Sequence, residues 1–133
     1  MAIQLSDSVR DAQNDAIETT ISTTPTLSIW SGSAPADCAT ANSGTLLASM
    51  TLPSDWMAAS STGSKAKSGT WQDTSADATG TAAHFRIHQG TACHIQGTVT
   101  ATSGGGDIEL DNTSIASGQQ VTISTFTITA GNA

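Results

Sequence analysis

The chain has 133 residues, the size of one compact domain. Its net charge is −7, with Arg10, Lys65, Lys67 and Arg86 as the only basic residues, which excludes the positive stripe that nucleic acid or an anionic membrane surface requires. Only 11% of residues are charged, against about 25% in an ordinary domain, and Ser, Thr, Ala and Gly fill the gap, so the composition is that of a light, Thr-rich β protein.

The first twenty residues read as a helix. Leu5, Val9, Ala12, Ala16, Ile17, Thr20 and Ile21 recur at helical spacing, with Asp7, Asp11, Asp15 and Glu18 between them. Ser6 is a natural N-cap and Thr23-Thr24-Pro25 a stop. The stripe predicts a helix laid over one face or edge of the domain, or an arm docked on a neighbouring subunit. The opening residues have neither the basic nor the apolar stretch of a secretory signal, so synthesis in a cytoplasm is expected. No apolar run approaches the roughly 18 residues of a membrane span. Under those conditions Cys38 and Cys93 are expected as free buried thiols rather than as a bridge.

After Pro25 the period becomes two. Residues 26–30 alternate, 32–44 form a loop, and 45–52 alternate again up to Pro53. Residues 54–80 are irregular and polar, broken by Trp56-Met57 and Trp71; long excursions of this kind are often functional. Ala83, Phe85 and Ile87 then alternate with His84, Arg86 and His88, and Cys93, Ile95, Gly97 and Val99 follow beyond Gly90. Keeping both apolar sets on one side predicts a hairpin pairing 85 with 95 and 87 with 93, which sets Arg86 opposite His94. Asp107, Glu109 and Asp111 form an acidic face on one strand, expected to be solvated or edge-protecting, with a weak cation or partner contact as the alternative. A last strand over 120–129 changes phase at Ser124-Thr125, the mark of a bulge or of burial on both faces. The expected fold is mainly β: a single domain over 1–133, with an N-terminal helix or arm over 1–22 and a β-sandwich or jelly-roll-like barrel of about seven or eight strands over 26–133.

Chemistry finds little foothold. His84 and His88 share a strand face but stand about 13 Å apart, too far for one zinc ion with bonds of about 2 Å. No Gly-x-Ser-x-Gly elbow or catalytic thiol motif is present, and Gly104-Gly105-Gly106 lacks the Lys-Ser/Thr of a phosphate loop. The expectation is therefore no enzyme, no metal and no cofactor. Trp56, Met57 and Trp71 belong to residue types enriched at interfaces; they either contact a partner or plug the end of a small barrel.

The stretches Leu52-Pro-Ser-Asp-Trp-Met57, Lys67-Ser-Gly-Thr-Trp71, Gly80-Thr-Ala-Ala-His-Phe-Arg-Ile87, Gly106-Asp-Ile-Glu-Leu-Asp-Asn-Thr-Ser-Ile115 and Ser117-Gly-Gln-Gln-Val-Thr-Ile-Ser-Thr-Phe-Thr-Ile-Thr129 resemble a family of small structural proteins of tailed bacteriophages and prophages. The N-terminal helix and residues 27–30 fit the same pattern. The resemblance implies a virion component, foremost a capsid decoration (cement) protein on the outer lattice. Its partners would be the major capsid protein and sister copies in a trimer or dimer, with Val9, Trp56, Met57 and Trp71 as interface candidates. A tail or fibre component is the alternative within the particle. A carbohydrate-binding module, using Trp30, Trp56 or Trp71, is the alternative of another class.

Overall fold

The computed structural model describes residues 2–131 and is mainly β with one helix. Helix α1, Asp7–Ile21, begins where expected: the Val9 amide donates to the Ser6 hydroxyl, and Asp7 sits in the first turn. It ends at Ser22, whose amide donates to the Glu18 carbonyl at 2.8 Å. The face it buries is not the expected apolar stripe. Arg10, Asp11, Asn14, Ile17, Glu18 and Ile21 turn inward, whereas Val9, Ala12, Ala16 and Thr20 are exposed. The reason is the neighbour. The turn at 60–64 offers backbone groups, and polar side chains answer them: Asn14 Nδ2 donates to Gly63 O (2.9 Å), and the Gly63 amide donates to Asp11 Oδ1 (2.8 Å). Gly63 has φ +79°, and a Cβ there would run into the Arg10 guanidinium, so glycine is required twice over.

Five strands form a curled sheet in the order β2-β1-β6-β7-β8: β1 Thr26–Trp30, β2 Leu46–Thr51, β6 His84–Gln89, β7 Ala92–Ala101 and β8 Ile108–Leu110. One face carries Leu27, Ile29, Ala48, Met50, Phe85 and Ile87 into the core. In the β6–β7 hairpin Phe85 pairs with Gly97 and Ile87 with Ile95, two residues along from the expected register. The shift keeps parity, so the apolar faces stay together. A bulge between Ile87 and His88 absorbs the remainder and leaves a turn at Gly90-Thr91. Gly97 is fitted to its partner, since an added Cβ would stand 2.7 Å from the Phe85 ring. Arg86 therefore lies opposite Gln96, not His94.

Strand β8 runs parallel to β7 after a return of only residues 102–107, where parallel neighbours normally need a dozen or more. Ser103 and Gly105 take positive φ there (69° and 80°), and both amides donate to the Glu109 carboxylate (3.1 and 3.0 Å). Asp107 likewise accepts from the Thr98 amide and hydroxyl. Asp107 and Glu109 tie the return together, while Asp107 and Asp111 stay exposed, so the acidic face meets water as well.

The remaining strands form three two-stranded antiparallel ladders: β3 Ser64–Ala66 with β11 Thr127–Thr129, β4 Trp71–Asp73 with β10 Val121–Ile123, and β5 Gly80–Thr81 with β9 Ser114–Ile115. The last strand expected over 120–129 is thus two strands on different partners. The phase change marks a break that drops Phe126 into the core. There Phe126 meets Trp71 at 5.3 Å and Phe85 edge-on at 5.8 Å, and Trp71 meets Trp56 at 6.1 Å.

Candidate functional site

The other face of the five-stranded sheet is polar. Pairing places Ser28 beside Arg86, Trp30 beside His84, and Arg86 beside Gln96, all on the side away from the core. His84 and Arg86 are nevertheless buried, because the loop over residues 31–45 folds back across them. Its backbone carbonyls are the fastening points. Arg86 Nη2 donates to Asp37 O (3.1 Å), Thr40 O (2.8 Å) and Gln96 Oε1 (2.9 Å), and Gln96 Nε2 donates to Pro35 O (2.8 Å). A strand face patterned for water is dry because a loop of small residues can approach it closely.

A disulfide completes the roof. Cys38 in the loop is bridged to Cys93 on β7, with Cα atoms 5.2 Å apart, within the range a bridge needs. The expectation of free buried thiols is corrected here: with the two cysteines 55 positions apart, nothing in the chain pattern announces that the loop crosses β7. Within the loop, the Thr40 hydroxyl and then the Thr40 amide hold the Asp37 carboxyl below its ordinary value, with a smaller help from the Arg86 charge.

His84 lies between Gly32 O (2.7 Å from Nδ1) and Asn42 Oδ1 (2.8 Å from Nε2). With two oxygens facing it, both ring nitrogens must donate, and Asn42 Nδ2 is left buried without a partner. The Asn42 amide is held in this sense because its Oδ1 also accepts from the Ser43 amide at 3.0 Å. Arg86 Nε is also buried and unpartnered.

Between loop and sheet lies a cavity of about 430 Å³ lined by Ser28, Trp30, Thr40, Asn42, Arg86 and His88 among others, with the disulfide in its wall. The Trp30 indole is half-buried and donates from Nε1 to Ser28 Oγ at 2.9 Å. Two smaller clefts, of about 210 and 240 Å³, contain no basic residue.

The interface candidates are scattered. Trp56, Met57 and Trp71 are core residues, 0%, 2% and 0% exposed, and both indoles donate inward, to Ser22 O and Ser68 O at 3.0 Å each. They plug the body, and a partner docking on this surface would not touch them. Val9 is different: it is 46% exposed on α1, and Ile3, just ahead of the helix, is 84% exposed. The three histidines do not converge, and among the described residues no group of three or more His, Cys, Asp or Glu could hold a metal ion. The sequence shows Arg86 on its strand, a loop over 32–44 and Trp30 ahead of it, but nothing in it brings the three together. The chain matches no described protein family, no curated protein and no solved structure.

Proposed function

We propose that the protein is a structural component of a tailed-phage particle, a decoration protein that binds the outer capsid lattice through the N-terminal segment. The observation that carries this reading is the inverted helix. Helix α1 spends its polar face on its own domain and leaves Val9, Ala12 and Ala16 outward, with Ile3 ahead of them. An apolar stripe that its own fold does not cover is suited to a partner surface. The resemblance in sequence supplies the partner, the major capsid protein, and the location, the virion. A cement protein stabilises the lattice because it binds only the assembled state, so each contact shifts the equilibrium toward assembly.

On this reading the small ladders are the second layer of a jelly-roll-like sandwich, facing the five-stranded sheet. Phe126, wedged between Trp71 of β4 and Phe85 of β6, supports that closure. The copies would stand as trimers or dimers at lattice axes.

The test uses capsids stripped of the protein. Added wild-type chain should co-sediment with them and raise their melting temperature. Val9→Asp should weaken binding at least about tenfold, the effect of losing roughly 1.4 kcal/mol, while leaving the domain folded. Undiminished binding of that variant would remove the helix from the interface. Failure of the wild-type chain to bind capsids would overturn the decoration role.

A further inference from the structure

We propose that the cavity beneath the 31–45 loop is a binding site for an acidic monosaccharide, a hexuronate whose single carboxylate meets Arg86. Arg86 is 7% exposed, yet no carboxylate among the described residues pairs with it; the salt bridges found join Arg10 to Asp7 and Lys65 to Asp15 and Glu18. Asp37 is near enough for the two charges to feel each other, but the hydrogen bonds on the guanidinium come only from neutral oxygens, so an anion that bonds it directly would stabilise it further. Nη2 is already surrounded by three acceptors, but Nε has none. A carboxylate seated in the cavity would bring its charge beside the guanidinium and, with a small shift of the sealed side chain, take the Nε–H in the same contact.

The rest of the cavity describes what carries that carboxylate. Its volume of about 430 Å³ suits one sugar ring, not a chain. The Trp30 indole is fixed by its bond to Ser28, so an aromatic face stands ready without further ordering. Thr40, Thr91 and His88 in the lining offer hydroxyl and ring partners for a polyol. The net charge of −7 disfavours a polyanion but barely affects a ligand of one charge. This site stands apart from the α1 surface, so it holds or fails independently of the capsid reading.

Titration of the full-length chain with sodium glucuronate, glucose and acetate, followed by NMR at Trp30 Nε1–H and Arg86 Nε–H, tests the proposal. Glucuronate should shift both signals saturably, with glucose and acetate each about tenfold weaker or more. Trp30→Ala should lose the response to glucuronate while its other amide signals keep the folded pattern, and Arg86→Gln should reduce the preference for glucuronate over glucose. No saturable shift with glucuronate would overturn the site. Equal binding of glucose would overturn the role of Arg86, and equal binding of acetate would overturn the sugar. These wild-type comparisons decide the matter even where Arg86→Gln fails to fold.

Discussion

Lys65 shows how a buried charge is kept in this protein. Its side chain is buried, and burial works against the ammonium, but hydrogen bonds to Asp15 (2.7 Å) and Glu18 (2.8 Å) on α1 outweigh it and hold the group above 10.5. Asp15 is lowered below 3.8, first by Lys65 and then by the Ser60 amide. The signs give a window. The Asp15 contribution is complete above pH 3.8 and disappears as pH falls through its lower folded value. The Lys65 contribution is complete below pH 10.5 and disappears as pH rises through its higher one. Amide exchange in α1 should therefore accelerate at both extremes before the sheet opens. Lys65→Met, which keeps the stem and removes the charge, is expected to cost about 1–3 kcal/mol in urea unfolding. Truncating Trp71 belongs to another class: Trp71→Ala empties the centre of the aromatic cluster and should cost about 3–5 kcal/mol, so the domain itself would be at risk.

At the level of elements, the helix was legible in its ends but not in its facing. Ser6 and Pro25 mark the boundaries by local chemistry, which needs no knowledge of the rest of the fold. The facing follows from the neighbour, and a turn that presents Ser60 and Gly63 selects Asp11 and Asn14 over Val9 and Ala12. Strand β6 teaches the same lesson: alternation separated its two faces correctly, but the burial of His84 and Arg86 depends on a loop more than forty residues earlier in the chain. That loop gives the sharpest prediction at this scale. In the loop-entropy account a bridge over 55 residues is worth about 4 kcal/mol, so reduction should lower the unfolding midpoint and unroof Arg86. Thermal melts with and without dithiothreitol, with exchange at residues 31–45, measure both effects. Glu109→Ala, in turn, should release the tight return between β7 and β8, seen as faster exchange at the Ser103 and Gly105 amides with the β6–β7 hairpin unchanged.

For the whole molecule, composition was the most reliable guide and pairing the least. Thr-rich alternation announced a mainly β body, but three of the ladders join segments about fifty residues apart or more (as Trp71 to Ile123) or over thirty (Gly80 to Ile115), and period-two patterns say nothing of such partners. All four cations are engaged within the fold: Arg10 with Asp7, Lys65 with α1, Lys67 with Gly69 O and Arg86 under its loop. One of those engagements reaches further. Arg10 Nε also donates to Ala130 O (3.0 Å), β11 is laddered to β3, and β3 is held by α1 through Lys65. The early and late parts of the chain thus close a circuit in which each is clamped by the other. Neither can fray by itself, and a protease attacking at one side must wait for both to let go.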